Sequence, residues 1–509
     1  MSGGFVGLLR NAAAMLKVGL LQRVLGLIQV MILSRVLEAN GLGAFTFVQS
    51  TANTFAGMTR LGVDAGVHVE LASLKLPEGR ERAEIVLGEA VSVFLLVSAV
   101  VAAALVVFAR PIASGLFAAP ELWPYVIVSA ALLVSQMFAQ LCYVAFAGLH
   151  AFTRYSRITM VSSIGWVALS IVGGLTYGAW GGVIGLALGQ SIGTVMLAAG
   201  LLRETAQHGV SLRPRWPGAA ARTLLGIGLP FYLSVAAVIP AEFMSLGLLS
   251  RSAGIEALGE LRVVQSLMSL AAFVPVALAG PIISHLVAAH TGDGTPDAVH
   301  AQLKFNWILG LLMVEGLAVV WGLAIDVVYG GTYPAARSIG VLALAAFVPN
   351  MLLSVMTAAV LARKQSLVLL YAGLLQAVIL YTVAAMLVPA LGLGGFLLAQ
   401  AVSALVGSIL LMMALMAHYG RSFLRPWMAA VAMLTMVVVP SVLWSVAYNS
   451  SPAIVAIIGG TAVAATLATA WATQTTEERK RLVSLLTQLA GRGPNLINVM
   501  RRGNDAGLG

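Results

Sequence analysis

Charged residues are scarce in this sequence. Only 9% of the 509 residues are Asp, Glu, Lys or Arg, whereas roughly a quarter of the residues in a soluble domain are charged. Such a chain cannot cover a water-facing surface and is predicted to use lipid as its solvent. The single cysteine, Cys142, excludes a disulfide framework. The histidines do not cluster with carboxylates at metal-ligand spacing, and the absence of a P-loop motif argues against direct ATP hydrolysis.

Long apolar runs take the place of charge. Sixty per cent of the residues are hydrophobic, and the mean hydropathy is +0.96. The runs are continuous, whereas barrel strands would alternate polar and apolar residues, so helices of roughly 20 residues are predicted. The sequence predicts an all-α polytopic membrane protein of about fourteen transmembrane helices. The predicted spans are 14–37, 41–66, 86–108, 122–148, 158–178, 181–202, 223–249, 258–284, 306–329, 338–361, 367–388, 391–416, 427–447 and 453–473.

Lys and Arg alternate in abundance from one connection to the next. When the N-terminus is placed in the cytoplasm, the inner connections hold most of the 29 basic residues. Because basic loops stay on the cytoplasmic side, this bias supports the number of spans. The predicted location is the bacterial inner membrane, with both termini cytoplasmic. The outer helix ends hold only Arg35, Arg110, Arg251, Arg262 and Arg337.

An internal repeat divides the chain. Leu33-Ser34-Arg35, with Leu42-Gly43 and Gln49-Ser50, recurs 216 positions later as Leu249-Ser250-Arg251, Leu258-Gly259 and Gln265-Ser266. Each repeat holds an even number of spans, so both halves should be related by a pseudo-two-fold axis along the membrane normal. We predict an N-terminal six-helix bundle (1–203), a cytoplasmic linker (204–222), a C-terminal six-helix bundle (223–418), helices 13 and 14 (419–475) and a cytoplasmic amphipathic tail (476–509).

The first loop carries a family resemblance. Leu33-Ser34-Arg35-Val36-Leu37, followed by Gly41-Leu42-Gly43-Ala44-Phe45, resembles the first-loop pattern of the polysaccharide and O-antigen flippases, and Gly62 and Asp64–Glu70 lie where those proteins close their second helix. These flippases belong to the multidrug/oligosaccharidyl-lipid/polysaccharide exporter superfamily. The resemblance implies translocation of an undecaprenyl-diphosphate-linked glycan to the periplasmic leaflet by alternating access, driven by an ion gradient or the membrane potential.

The expected partners follow from that resemblance. They are the lipid-linked oligosaccharide, membrane lipids, a proton or sodium ion, and a polysaccharide polymerase with its chain-length machinery. No cofactor and no nucleic acid is expected. A multidrug cation antiporter or a peptidoglycan-precursor flippase of the same superfamily remains an alternative. A membrane-embedded polymerase or glycosyltransferase fits less well, because the outer loops are short and lack paired carboxylates.

Arginines inside the spans are the candidate substrate ligands. An ionisable residue at the centre of a span costs roughly 2.5–3.5 kcal/mol on insertion scales, so it should face an interior or a cavity. Arg23 and Arg60 are the candidates for the diphosphate, because guanidinium donates two hydrogen bonds at once. The alternatives are that Arg23 snorkels to the inner interface and that Arg60 and Asp64, four residues apart, neutralise each other.

Carboxylates inside the spans are the candidates for ion coupling, and prolines are the candidate hinges. Asp64, Glu242 and Glu315 are the carboxylates; a hydrogen-bonded or protonated structural role is the alternative for the last two. Arg35 and Arg251 are predicted structural anchors, and Glu256, Glu260 and Arg262 form a predicted charge cluster at the outer end. Pro230, Pro240, Pro275 and Pro281 bend neighbouring helices and are either hinges or tolerated kinks.

Overall fold

The computed structural model describes residues 2–74, 79–149, 151–271, 296–362 and 365–419, and the regular elements in these ranges are helices. We name the two ends of the molecule inner and outer after the predicted orientation. A π-helical turn at Pro111–Leu116 and a 3-10 turn at Pro120–Leu122 follow the third α-helix. The α-helices are α1 (Ser2–Thr59), α2 (Val63–Ser73), α3 (Arg80–Val107), α4 (Trp123–Gly148), α5 (Phe152–Gln207), α6 (Ala219–Ala236), α7 (Val238–Ala253), α8 (Glu256–Ala271), α9 (Pro296–Tyr329), α10 (Pro334–Ala362), α11 (Ser366–Leu391) and α12 (Leu393–Tyr419).

Two of these helices are long enough to cross a membrane twice. At 1.5 Å per residue, α1 would extend roughly 87 Å, far more than the roughly 30 Å hydrocarbon core. Non-helical backbone interrupts α1 at Glu38 and α5 at Tyr177 and Gly178. These breaks fall at or beside the predicted ends of spans one and five, so α5 contains two of the predicted spans, and α1 contains span one and most of span two.

Several helices are long and apolar enough to span a membrane. Six pass this test within the described residues, and two bent pairs, Leu312–Ala318 with Val320–Tyr329 and Pro334–Gly340 with Leu342–Ser354, raise the number to eight. The chain is therefore a multi-pass membrane protein. Predicted spans thirteen and fourteen and the amphipathic tail lie outside the described residues.

Span two is broken inside its predicted bounds, and span seven is broken beside Pro240, where the sequence predicted a bend. Between α1 and α2, Leu61 and Gly62 have φ angles of 51° and 75°, a left-handed conformation that glycine adopts without a steric penalty. Between α6 and α7 the break falls at Ala237. Pro240 explains this second break, because it has no N–H to donate to the carbonyl of Ala236.

The two halves meet at the outer end in reciprocal contacts. A Cβ atom added to Gly43 would lie 2.1 Å from the carbonyl oxygen of Ile255, and one added to Gly259 would lie 2.3 Å from that of Ala39. Gly43 and Gly259 are 216 positions apart, as are Ala39 and Ile255. The repeat in the sequence is therefore also a repeat in space, and only glycine allows the backbones to approach so closely.

Polar contacts at the outer end follow the same offset. The hydroxyl of Tyr333 donates to the carbonyl of Ser34 at 2.8 Å, and the hydroxyl of Ser250 donates to the carbonyl of Phe117 at 2.9 Å. Each half thus begins with a helix whose outer end contacts the loop after the third span of the other half. These contacts close the outer end between the halves.

Arg35 and Arg251 reinforce this closure. Arg35 donates to the carbonyls of Val327 and Val328 at the end of α9. Arg251 donates to the carbonyl of Gly115 at 3.1 Å. Carbonyls at the C-terminal end of a helix lack intrahelical donors and attract cations. The contacts agree with the predicted anchoring role of both arginines.

Candidate functional site

A polar cavity of about 370 Å³ lies between α1 and the C-terminal half. A guanidinium, three amides and a hydroxyl share its wall with apolar side chains. Polar groups at this position belong inside a protein, because lipid would leave them unsatisfied. Helices α1, α8, α10 and α12 supply the lining, which is Arg23, Gln265, Met268, Ser269, Ala343, Ala346, Phe347, Asn350, Leu397 and Gln400.

Arg23 reaches across the cavity from the N-terminal half. Its side chain is half-buried, and Nη1 donates to the backbone carbonyl of Ser269 on α8 at 2.5 Å. This contact argues against the snorkelling alternative, because the guanidinium points to the other half and not to the inner interface. A guanidinium has five N–H donors in a planar fork, a geometry that suits an anion such as a diphosphate.

Glu242 lies directly behind the cavity wall. Its Oε1 accepts a hydrogen bond from Nε2 of Gln400 at 3.3 Å, and Gln400 itself lines the cavity. Glu242 lies on α7, two residues after Pro240, whose missing N–H ends α6. The break in span seven therefore places a carboxylate one side chain away from the space that Arg23 enters.

Arg60 and Asp64 lie apart from this cavity, at the break in span two. Oδ2 of Asp64 accepts from Nε2 of Gln140 on α4 at 3.1 Å. Nε of Arg60 is buried and has no hydrogen-bond acceptor among the described residues. The hydroxyl of Tyr232 on α6 donates to the carbonyl of Met58 beside this break. The predicted site residues thus divide between the cavity and the inner end of span two.

The other predicted positions lie farther from the cavity or outside the described residues. Glu315 is buried on α9, just before the 61° bend in that helix, and is not part of the described cavity lining. Pro240 lies at the break in span seven, and Pro230 lies within α6. Pro275 and Pro281 lie outside the described residues. The hinge role of these prolines stays a prediction.

Sequence reasoning missed several residues of the site. Gln265 appeared only as part of the repeat, and Gln400 and Asn350 were not among the predicted site residues. The available signal was the recurrence of a polar residue in the second half, since Gln49 matches Gln265 at an offset of 216 and Gln190 matches Gln400 at an offset of 210. A polar residue that recurs in an apolar helix should face the interior, because lipid cannot satisfy its hydrogen bonds.

Two buried carboxylates outside the predicted ion-coupling set have structural roles. Glu89 accepts from the backbone N–H groups of Gly218 and Ala221 at the start of α6, at 2.8 and 2.7 Å. Glu260, part of the predicted outer cluster, accepts from the N–H of Ala336 at 2.7 Å near the start of α10. Carboxylates satisfy the unpaired donors and the positive end of the dipole at a helix N-terminus.

Comparison with known proteins decides the family. Residues 8–287, more than half of the chain, match the family described as "Polysaccharide biosynthesis protein". The chain belongs to this family. A search of curated proteins gave no match.

Solved structures agree with the family assignment. The lipid II flippase MurJ in an inward closed conformation superposes with a TM-score of 0.68 at 12% identity, covering 89% of this chain and 97% of that one. An inward-facing MATE multidrug resistance transporter superposes with a TM-score of 0.58 at 16% identity, covering 83% of this chain and 98% of that one. A transporter of the MOP (multidrug/oligosaccharidyl-lipid/polysaccharide) superfamily from Pyrococcus furiosus superposes with a TM-score of 0.54 at 16% identity, covering 84% of this chain and 96% of that one. Identities this low show the fold alone.

This member of the polysaccharide biosynthesis family therefore has the multi-helix fold of the MOP transporters. The predicted family resemblance and the predicted fold class are confirmed. The fold supports membrane flipping or transport. The cavity offers a cation, a carboxylate behind an amide, and several hydrogen-bonding groups, which suits the binding of a polar or anionic cargo inside the membrane.

Proposed function

We propose that this protein flips an undecaprenyl-diphosphate-linked oligosaccharide from the cytoplasmic to the periplasmic leaflet of the bacterial inner membrane by alternating access. Arg23 carries the proposal, because its guanidinium extends from one half of the protein into a cavity formed mostly by the other half. A lipid-linked sugar diphosphate needs such a cation within the membrane. The cargo is moved without chemical change, and both termini lie in the cytoplasm.

The closed outer end supports the alternating-access part of the proposal. The reciprocal contacts of Ser34 with Tyr333 and of Ser250 with Phe117 join the two halves at the outer end. Moving the cargo outward requires these contacts to break and a matching closure to form at the inner end. This rearrangement would alter the hydrogen bond of Arg23, because the carbonyl that accepts it belongs to the other half.

Glu242 is the proposed coupling carboxylate. In its ionised form it accepts the hydrogen bond of Gln400; once it binds a proton or sodium ion, that acceptor is weakened or lost. Gln400 would then reorient toward the cavity, which links the ion to the cargo. Asp64 and Glu315 remain further candidates for ion coupling, and Arg60 remains a candidate for the diphosphate in the inward-open cavity.

A peptidoglycan-precursor flippase is the second candidate function. The superposition on the lipid II flippase MurJ over 97% of that chain favours it, and its cargo shares the chemistry of a lipid-linked sugar diphosphate. A multidrug cation antiporter is less well supported, because a cationic drug would be repelled by Arg23 in the cavity. A polymerase and its chain-length machinery are proposed downstream partners.

Transport in proteoliposomes tests the proposal. Three fluorescent cargoes would be compared: a lipid-diphosphate-linked oligosaccharide, a lipid-linked peptidoglycan precursor and a cationic dye. We expect the oligosaccharide lipid to reach the opposite leaflet fastest and the dye to be left behind. Transport of the dye alone would overturn the proposal, and preference for the precursor would establish the second candidate.

A further inference from the structure

The repeat places a second set of polar residues opposite the cavity. Gln265 and Ser269 on α8 line the cavity, and their equivalents 216 positions earlier are Gln49 and Asn53 on α1. The reciprocal glycine and hydroxyl contacts show that this offset holds in space. Gln49 and Asn53 are not part of that lining, but the same offset predicts that they face the central space from the N-terminal half.

Gln49 and Asn53 lie one turn apart on a single face of α1. The Asn53 side chain is exposed, and Gln49 is half-buried. Oε1 of Gln49 is buried and has no hydrogen-bond partner among the described residues. A polar face of this kind would be costly against lipid, so it belongs to an interior path. Arg60 follows the end of α1, seven residues farther toward the inner end.

A third amide completes the arrangement. Nε2 of Gln136 on α4 donates to Oδ1 of Asn53 at 2.9 Å. That bond uses neither the Nδ2 donors of Asn53 nor the Oε1 acceptor of Gln136, so the pair presents donors and an acceptor side by side. Sugar hydroxyls donate and accept in the same way. None of these three side chains is charged, which suits a neutral glycan better than a phosphate.

We infer that Gln49, Asn53 and Gln136 form a glycan-binding wall, opposite the α8 wall against which the Arg23 guanidinium is held. The inference rests on the proposed function and adds where the glycan binds: all three amides and Arg23 belong to the N-terminal half, but only the guanidinium crosses to the C-terminal half. Arg23 donates to the carbonyl of Ser269, the residue equivalent to Asn53. The guanidinium therefore lies near the depth of Asn53 but across the cavity, so a diphosphate at Arg23 directs the attached sugars toward the amides.

Binding of two probes tests the inference. Undecaprenyl diphosphate and the same lipid diphosphate carrying an oligosaccharide would be titrated into the purified full-length protein. For Asn53→Ala and Gln136→Ala, loss of a hydrogen-bonded pair to the glycan predicts about a tenfold higher Kd for the glycan-bearing lipid. The Kd of undecaprenyl diphosphate should be unchanged. Gln207→Ala, an exposed amide at the inner end of α5, is the matched control and should change neither value.

The possible outcomes separate this inference from the proposed function. If the wild type transports the glycan lipid but Asn53→Ala and Gln136→Ala weaken both probes equally, or neither probe, the glycan-binding wall is wrong and the transport function stands. If the wild type neither binds nor transports the glycan lipid, the proposed function itself fails. Conservative Asn53→Gln retains an amide and should recover part of the glycan preference, which a merely structural role would not produce.

Discussion

The outer end of this protein keeps the symmetry of the internal repeat, whereas the centre does not. At the outer end, the hydrogen-bonded pairs Ser34–Tyr333 and Ser250–Phe117 occupy equivalent positions of the repeat, and each joins the two halves. In the centre, the equivalent of Arg23 is Ile239, and that of Glu242 is Gly26. A gate between two halves closes on itself and can use the same contacts twice. A lipid-linked glycan is not symmetric, and the side chains proposed to bind it are not symmetric either.

Replacing Arg23, whose equivalent in the other half is not a cation, should have the largest effect on the transport rate. Charged hydrogen bonds contribute about 1.5–3 kcal/mol, so Arg23→Ala should slow transport about 10- to 150-fold. Initial rates in proteoliposomes, normalised to inserted protein, measure this. Lys17→Ala, which removes an exposed cation from the same helix, is the control. Equal rates for wild type and Arg23→Ala would show that the cavity cation does not act on the cargo.

Glu242→Gln should uncouple transport from the ion gradient. The amide cannot ionise, so the gradient loses its binding partner while the bond to Gln400 can be kept. We expect about a tenfold loss of gradient-driven transport, within the usual range of a coupling free energy between two sites, with the rate in the absence of a gradient nearly unchanged. The measurement compares rates with and without an imposed proton or sodium gradient.

The control for this experiment is Glu256→Gln, which removes an exposed carboxylate at the outer end of α8. It should leave the gradient dependence intact. Full gradient dependence in Glu242→Gln would move the coupling role to Asp64 or Glu315, and the same substitution at those positions would then be the next measurement.

Substitutions at the two outer contacts should shift the conformational equilibrium equally. Tyr333→Phe and Ser250→Ala each remove one donor to a carbonyl of the opposite half. At about 1 kcal/mol per hydrogen bond, each should shift the population about fivefold toward the outward-open state. Unequal shifts would show that the repeat in space does not extend to energetics.

Labelling from the outer side measures this shift. A cysteine introduced by Asn350→Cys would lie in the cavity wall, and an impermeant maleimide would reach it only after the outer end opens. The native Cys142 is buried. Ser252→Ala is the control, because its hydroxyl donates only within its own helix, to the carbonyl of Leu249.

The sequence predicts the symmetric part of the fold better than the asymmetric site. Polar matches such as Arg35 with Arg251 recur because both arginines donate to carbonyls of the opposite half, so comparing the two halves finds them. The hydrogen bond between Gln400 and Glu242 joins residues 158 positions apart. No spacing in the chain encodes that contact, because it depends on how apolar helices of similar composition pack.

Hydropathy predicts helix breaks only where the polarity of the sequence changes. Glu38 interrupts α1 at a charged turn between two apolar runs, and the sequence predicted a boundary there. The break at Leu61 and Gly62 lies inside a predicted span. Hydropathy averaged over a helix length does not register a single left-handed residue, so only the family resemblance, which places Gly62 at the close of the second helix, gave a signal for this break.

The linker gives the inner end a contact that has no counterpart in the repeat, and its effect should be the smallest. Glu84 on α3 accepts from the N–H of Ser211 at 3.2 Å and from Arg215 at 3.4 Å. Exposed ion pairs contribute little and are screened by salt, so Glu84→Gln should raise hydrogen exchange in residues 204–222 only about twofold at low salt. Glu81→Gln, an exposed neighbour on α3, should leave the exchange unchanged. High salt should remove most of the difference between Glu84→Gln and the wild type. If the difference instead persisted at high salt, backbone capping at Ser211 would dominate, and the linker would be fixed to α3 more firmly than its exposure indicates.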